Sequence, residues 1–569
     1  MRADAWAPFA SHVACRTRGR DIPLTREADG WWRGPELADG QDYAFLVDGN
    51  GPFPDPRSPR QPAGVHGPSR AFDASVFAWT DVDWPGRDTL GAVFYEMHVG
   101  TFTPHGTLDA AAAHMARLAA IGIEVVEIMP LAPFPGTRGW GYDGVSLYAV
   151  HEGYGGPAAL QRFVDAAHRE GLAVALDVVY NHLGPDGNYL GQYGPYFTDA
   201  HSTPWGDAVN LDQPGSAEVR RYLVDNALRW FRDFHIDALR LDAVHALVDS
   251  SAYPFLAQLS DETRALATGM NKPLTLIAES DLNDAAMVTP VREGGLGMDA
   301  QWDDDVHHAL HAYLTGERDG LYSDFGSVET LDRAFREVFV HAGEWSSFRG
   351  QTWGRPVPAG TDRRRFVVYA ANHDQIGNRA LGDRMSTYVS AGAQATAIAV
   401  VLLSPFTPLI FQGDEYGETH PFMFFADHDE PLGTAVTAGR RDEFARHGWP
   451  PDAVIPDPQA KATYEASVLD PSGGSDDVRR WFAAVMDARR HTLSPDAWHD
   501  HPVAMSESAP RQLIMHGPVR VHANLSAEPV AYEGRPLAVF GTAAVNGSGF
   551  VLEPDSVALV RALGAGEDG

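Results

Sequence analysis

The chain has 569 residues, 44% hydrophobic and 10% aromatic, which excludes a disordered polymer and predicts two to four packed domains. Its 44 basic against 76 acidic residues give a net charge of −32, which argues against nucleic acid or an anionic membrane as partner and suits a neutral substrate. The single cysteine, Cys15, excludes an intramolecular disulfide. With no signal-peptide-like or membrane-length apolar run, this predicts a soluble cytoplasmic protein.

Residues 1–85 carry short strand-like runs, "HVACRTR", "GWWRG" and "DYAFLVDG", between glycine- and proline-rich turns. They predict an N-terminal β-sandwich. From 86 to 493 the pattern becomes strand, helix, strand. "AVFYEMHVGTF" is the first strand, and "TLDAAAAHMARLAAIGI" follows as a helix with Thr107 at its N-cap and Gly122 at its end. "EVVEIMP" is the second strand. "GGPAALQRFVDAAHREG" is a helix with Pro157 at its start and Gly171 at its end, and "LAVALDVVYNH" is the third strand. After a short insert, about 183–215, a helix opening at Ser216 leads into "HIDALRLDAVHAL", the fourth strand. "PLTLIAES", "GMDAQW", "RFVVYAANHD" and "TPLIFQGDE" supply four more. Eight strands alternating with helices predict a (β/α)8 TIM barrel, with an open doubly wound sheet as the alternative. Residues 494–569 predict a C-terminal antiparallel β domain.

The fourth strand places Arg240 and Asp242 on one face, since side chains two apart point the same way. Burying charge without a partner is costly, so the pair marks a strand end with a task. The third strand ends in Asp177, Asn181 and His182, the fifth in Glu279, the seventh in His373 and Asp374. A barrel carries its chemistry at those C-terminal ends. A polar loop start explains any one of them; four strands converging on one mouth call for more. Cleaving a glycosidic bond takes a proton donor and a carboxylate that attacks the sugar. Arg240 beside Asp242 depresses its pKa and suits a nucleophile. Glu279, after the apolar "LTLIA" and near other carboxylates, gains the raised pKa of an acid/base. Asp374 supplies a third, stabilising carboxylate.

"DVVYNH", "ALRLDAVH", "IAES" and "ANHD" stand in the order of the four signature segments of the α-amylase superfamily of glycoside hydrolases, glycoside hydrolase family 13, which the chain resembles. The resemblance implies Asp242 as nucleophile, Glu279 as acid/base and Asp374 as transition-state stabiliser. It implies Asp177, His182, Arg240 and His373 around the cleaved sugar, Tyr142 of "GWGYDG" stacked under its ring, and His245 on the leaving-group side. Longer stretches, among them "YEMHVGTFTPHGT", "QWDDDVHHALHAYLTGE" and "FQGDEYGETHPFMFFADHDE", are similar to the malto-oligosyltrehalose trehalohydrolase family. That family cuts the α-1,4 bond adjoining a terminal trehalose unit, with retention. The likeness implies maltooligosyl trehalose or another α-1,4-glucan as substrate, no cofactor, no metal, and functional pairing with a maltooligosyl trehalose synthase. Asn181 matches a calcium ligand of some relatives, a role not carried over.

Other features have plainer readings. "HHALH" sets His307 and His311 four apart on a helix, but the glutamate of the zinc-protease pattern is replaced by His308. "EGYGGP" lacks the phosphate-loop lysine and is a turn. Trp205, Trp302, Phe422, Phe424 and Phe425 fall in predicted loops on the active face, where aromatics either stack on glucose units or pack the loops. A branching or other transglycosylating enzyme shares the three carboxylates, and a catalytically dead glucan-binding protein would have lost one.

Overall fold

The computed structural model describes residues 1–446, 454–494 and 497–562. At its centre eight strands close into a parallel barrel: β1 (Phe94–Met97), β2 (Val125–Ile128), β3 (Ala173–Val178), β4 (Ala238–Leu241), β5 (Thr275–Ala278), β6 (Ala300–Trp302), β7 (Phe366–Val368) and β8 (Thr407–Phe411). All eight strand runs expected from the sequence are there, and the open-sheet alternative is excluded, because β8 pairs back onto β1.

Strand alternation builds this barrel in two apolar sets. Phe94, Val125, Ala175, Ala238, Ile277 and Leu409 point inward and fill its axis. Their neighbours Val126, Leu176, Leu239, Leu276 and Ile410 point outward, into the core that packs against the helices. Leu239 is fully buried, and truncating it to alanine costs about 2–5 kcal/mol. The inward row turns polar only towards the C-terminal ends, where the strands open to solvent.

Thr107 caps its helix as expected, its hydroxyl accepting from the Ala110 N–H, and Gly122 ends the segment in the left-handed region. The helix is not continuous, however. It runs Leu108–Ala112, breaks, and resumes as Met115–Ile121; at the break the His114 ring meets Phe102 at 5.4 Å. Pro157 opens the helix Gly156–Arg169. The helix Ser216–Asp233 starts at Ser216, but its cap residue is Gly215, at φ +90°, with no side-chain hydrogen bond.

Before the barrel lie two antiparallel sheets. One joins Ala5–Trp6, Trp31–Arg33 and Thr25–Arg26; the other contains Arg20–Pro23, Val13–Thr17, Asp42–Val47 and Asn50–Phe53, with Ser69–Arg70 alongside. The connection to β1 crosses the N-terminal end of the barrel. There Trp84 Nε1 donates to Asp237 (2.7 Å), and the buried His168 ring sits between Asp81 (2.8 Å) and Asp237 (2.9 Å), stacked on Trp84. After the barrel, five antiparallel strands led by Ala504–Glu507 pack beside a three-stranded sheet, Val530–Glu533, Gly549–Leu552 and Ala543–Asn546. The end of the expected C-terminal domain, 563–569, lies outside the described residues. No helix among the described residues is long and apolar enough to cross a membrane.

Candidate active site

Arg240 ends β4 with its side chain wholly enclosed, and it is the hub of the barrel mouth. Its Nη1 donates to Asp177 Oδ2 of β3 (2.8 Å) and to Asp242 Oδ1 (2.9 Å), and its Nη2 lies 3.1 Å from Glu279 Oε2, just past β5. Below it the guanidinium carbon sits 4.3 Å from the centre of the Trp302 ring at the end of β6. A planar, always charged head group is the one side chain that can serve three carboxylates while resting on an aromatic face.

The acids step outward. Side-chain exposure rises from 2% at Asp177 to 11% at Asp242, 22% at Glu279 and 38% at Asp374. Asp242 and Asp374 stand near enough to Glu279 for their charges to act on it. Asp242 follows β4 directly. The next residue, Ala243, has φ +37°, an uncommon conformation for a side chain with a Cβ. That turn aims the Ala243 N–H at Glu279 Oε2 (2.6 Å). Burial pushes Glu279 up to about 8, with the charges of Asp242 and Asp374 adding and Arg240 and the Ala243 N–H opposing. A carboxyl still protonated at neutral pH can give a proton to a departing sugar oxygen.

The remaining sequence-predicted residues gather here too. Tyr142 donates to Asp177 Oδ2 (2.6 Å), its oxygen lies 2.8 Å from His373 Nε2, and its ring stacks on that imidazole at 5.2 Å. His373, five residues beyond β7, opens the short helix His373–Gly377 and reaches Glu96 Oε1 of β1 with Nδ1 (2.5 Å) and Asp374 Oδ2 with Nε2 (3.4 Å). His182 Nε2 donates to the Tyr142 carbonyl (3.0 Å). His245 stands apart: exposed, one turn beyond Asp242, its Nδ1 3.5 Å from the Asp281 N–H. Asp242, Glu279 and Asp374 come from three different strand ends: the first two meet one guanidinium, and the third lies beside His373.

The loop aromatics divide. Trp205 is 51% exposed and stacks flat on His182 at 4.5 Å, at the turn between the strands Phe197–Thr203 and Gly206–Val209 of the insert. It borders a cleft of about 430 Å³ with Asp143, His182, Asn188 and Asp207. Trp302, expected in a loop, belongs to β6, where the apolar barrel axis buries it under Arg240. Phe422 and Phe425 are buried as well, packed around Trp140 and His98, and offer no face to a ligand. His307 and His311 are engaged in packing: His307 reaches the Ala370 carbonyl (2.6 Å) and Tyr322 (3.1 Å), and His311 reaches Glu317 (2.8 Å).

A family model described as the α-amylase catalytic domain matches residues 73–199. A malto-oligosyltrehalose trehalohydrolase of Arthrobacter ramosus is 49% identical over 98% of this chain and 99% of its own length. One from Rhizobium sp. (strain M-11) is 46% identical over 98% and 97%. A crystal structure of an α-amylase candidate from Salmonella typhimurium superposes with a TM-score of 0.89 at 35% identity, covering 99% of this chain and 97% of that one. The chain belongs to the malto-oligosyltrehalose trehalohydrolase family. It is thereby a glycosidase of the α-amylase superfamily, with the barrel that membership requires.

The structure adds detail at residues that sequence reasoning passed over or left without a role. Asn181, with its amide turned to satisfy both ends, donates to Asp242 Oδ2 (3.1 Å). Ala243 gave no signal, since alanine does not advertise a left-handed turn. Glu96 and Glu127 did give one: each is an acid inside an apolar strand, "FYEM" and "VVEI", on the inward face.

Proposed function

We propose that this chain hydrolyses the α-1,4-glucosidic bond adjoining the terminal trehalose unit of maltooligosyl trehalose, with retention, releasing trehalose and a maltooligosaccharide. One observation carries the chemistry: a single enclosed guanidinium draws Asp177, Asp242 and Glu279 together at the barrel mouth. In this reading Asp242 attacks the anomeric carbon while Glu279 protonates the departing trehalose oxygen. Glu279 then takes a proton from the water that frees the glucan. Asp374 stabilises the cationic sugar between those steps. Asp177, Arg240, His182 and His373 hold its hydroxyls, Tyr142 lies under its ring, and His245 stands on the trehalose side. A maltooligosyl trehalose synthase would supply the substrate. The buried lone thiol of Cys15 fits a reducing cytoplasm. We also divide the chain into domains at 1–85, 86–493 and 494–569, which agrees with antiparallel pairing on both sides of the barrel.

A branching enzyme would use the same acids with a sugar hydroxyl as acceptor. Incubation with maltooligosyl trehalose and, separately, with amylose decides the matter. Free trehalose from the first is expected; new branch points without trehalose would reject the proposal.

A further inference from the structure

Two acids inside the barrel take no part in the steps above. Glu96 of β1 and Glu127 of β2 are register partners on neighbouring parallel strands, and each is 1% exposed. Each stands two residues beyond an inward apolar residue, Phe94 and Val125, so both point to the barrel axis. Neighbouring strands lie about 4.8 Å apart, which sets the two carboxyl groups side by side away from water. Glu96 accepts twice from His373, from its backbone N–H (3.0 Å) and from Nδ1 (2.5 Å). Neither oxygen of Glu127 meets a donor. Two carboxylates so placed do not both ionise, and the one without donors would bear the larger cost of a buried charge.

The protonation of His373 follows from its two neighbours. Nδ1 faces Glu96 Oε1; with the pair's one proton on Glu127, the member without donors, Glu96 only accepts and Nδ1 carries a hydrogen. Nε2 faces the Tyr142 hydroxyl, whose one hydrogen is committed to Asp177, so Nε2 carries a hydrogen too. A ring donating from both nitrogens is an imidazolium.

We propose that Glu96 and Glu127 work as one unit, two carboxyl groups sharing a single proton, and that their one negative charge keeps His373 an imidazolium where the sugar binds. The proposal rests on the glycosidase reading of the site and makes Glu96 a positioning residue that acts through His373. The other titratable or charged groups around the ring are Asp374, Asp177, Arg240, Tyr142 and His98, and Asp414 acts on Glu96. Burial pulls His373 down, but the charges of Asp374 and Glu96 outweigh it and Arg240, and push it up to about 9. Burial raises Glu127 well above the carboxylate range, and the charge of Glu96 adds to that.

The test is an NMR titration of the full chain carrying 15N-histidine, with the His373 signal identified by its absence in His373→Gln. In the wild type His373 should titrate near pH 9. Glu127→Gln should leave that value within about 0.3, and Glu96→Gln should bring it below about 7. A wild-type His373 titrating at or below about 6.5, its ordinary value, overturns the proposal without any variant having to fold. So does a Glu127→Gln protein whose His373 falls as far as in Glu96→Gln, since Glu127 would then hold the charge. No substrate is present, so the result does not depend on which bond is cut. On α-maltosyl fluoride, which needs no proton from Glu279, the alkaline limb of kcat/KM should move to lower pH in Glu96→Gln and part of the way back in Glu96→Asp. An unmoved limb in Glu96→Gln overturns the positioning role.

Discussion

Replacing Arg240 by lysine keeps a positive charge in the barrel and removes the fork that distributes it. The guanidinium makes three contacts, at 2.8, 2.9 and 3.1 Å, using two different nitrogens, and its carbon lies 4.3 Å from the centre of the Trp302 ring. An ammonium is a single point and cannot span all three acids. Glu279, served by the outer nitrogen, loses its contact first. The two charged hydrogen bonds, to Asp177 and Asp242, are worth about 1.5–3 kcal/mol each, so losing one together with the Glu279 contact raises the barrier by about 3 kcal/mol. That lowers kcat/KM about 150-fold. The variant also has a signature in pH. The cation opposes the rise of Glu279 to about 8, and moving it away lets that value climb. The proton donor then stays loaded longer, and the alkaline limb of the residual activity shifts to higher pH. Trehalose release measured from about pH 5 to about pH 10 reads both effects. A loss under about threefold with an unmoved limb would refute the idea that this guanidinium organises the site.

The other expectations are briefer. Asp242→Asn should lower kcat at least about a thousandfold with KM nearly unchanged, and near-wild-type turnover would remove it as nucleophile. Glu279→Gln should lose most on poor leaving groups and little on glycosyl fluorides, and the fall of wild-type activity as pH rises through about 8 should vanish with it. Equal losses on both substrate types would count against the acid role. At the far end of the barrel, burial alone would lower His168, but Asp237 and Asp81 outweigh it and hold the ring above its usual range. A raised histidine stabilises fully below its unfolded pKa of about 6.5, and that share is lost as pH rises through the folded value. Wild-type Tm should therefore drop between about pH 6 and about pH 9 by more than in His168→Gln, and parallel Tm curves would contradict this.

How much was legible depended on whether a residue's purpose shows in its type. Arg240 and Asp242 stood out because charge inside an apolar strand needs a reason, and period-two alternation put them on one face. All eight strands followed from apolar runs ending at polar residues. Trp302 was read both as the last residue of the strand "GMDAQW" and as a loop aromatic, because "DDD" follows it; it ends a strand only three residues long, and its partner, Arg240, lies 62 positions earlier in the chain. Ala243 and Asn181 act through a backbone turn and an amide orientation, neither of which residue type records. The helix after β1 was drawn unbroken because alanine-rich runs carry no break signal of their own.

Distance from Arg240 alone does not assign the roles of the acids, since Asp242 and Glu279 lie within 0.2 Å of each other in that respect, 2.9 against 3.1 Å. Direction does. Asp242 receives an aligned hydrogen bond from Nη1 and another from the Asn181 amide, two donors that only a charged carboxylate uses fully. Glu279 lies near Nη2, but that nitrogen makes no aligned hydrogen bond to it, and among the described residues the Ala243 N–H is its one aligned donor. The same cation thus hydrogen-bonds to one acid and merely neighbours the other, and burial decides the second. Turning the guanidinium within its plane would exchange those environments. Asp177, hydrogen-bonded to the same Nη1, opposes that turn, so the division between the proposed attacking carboxylate and proton donor rests on a residue that is neither of them.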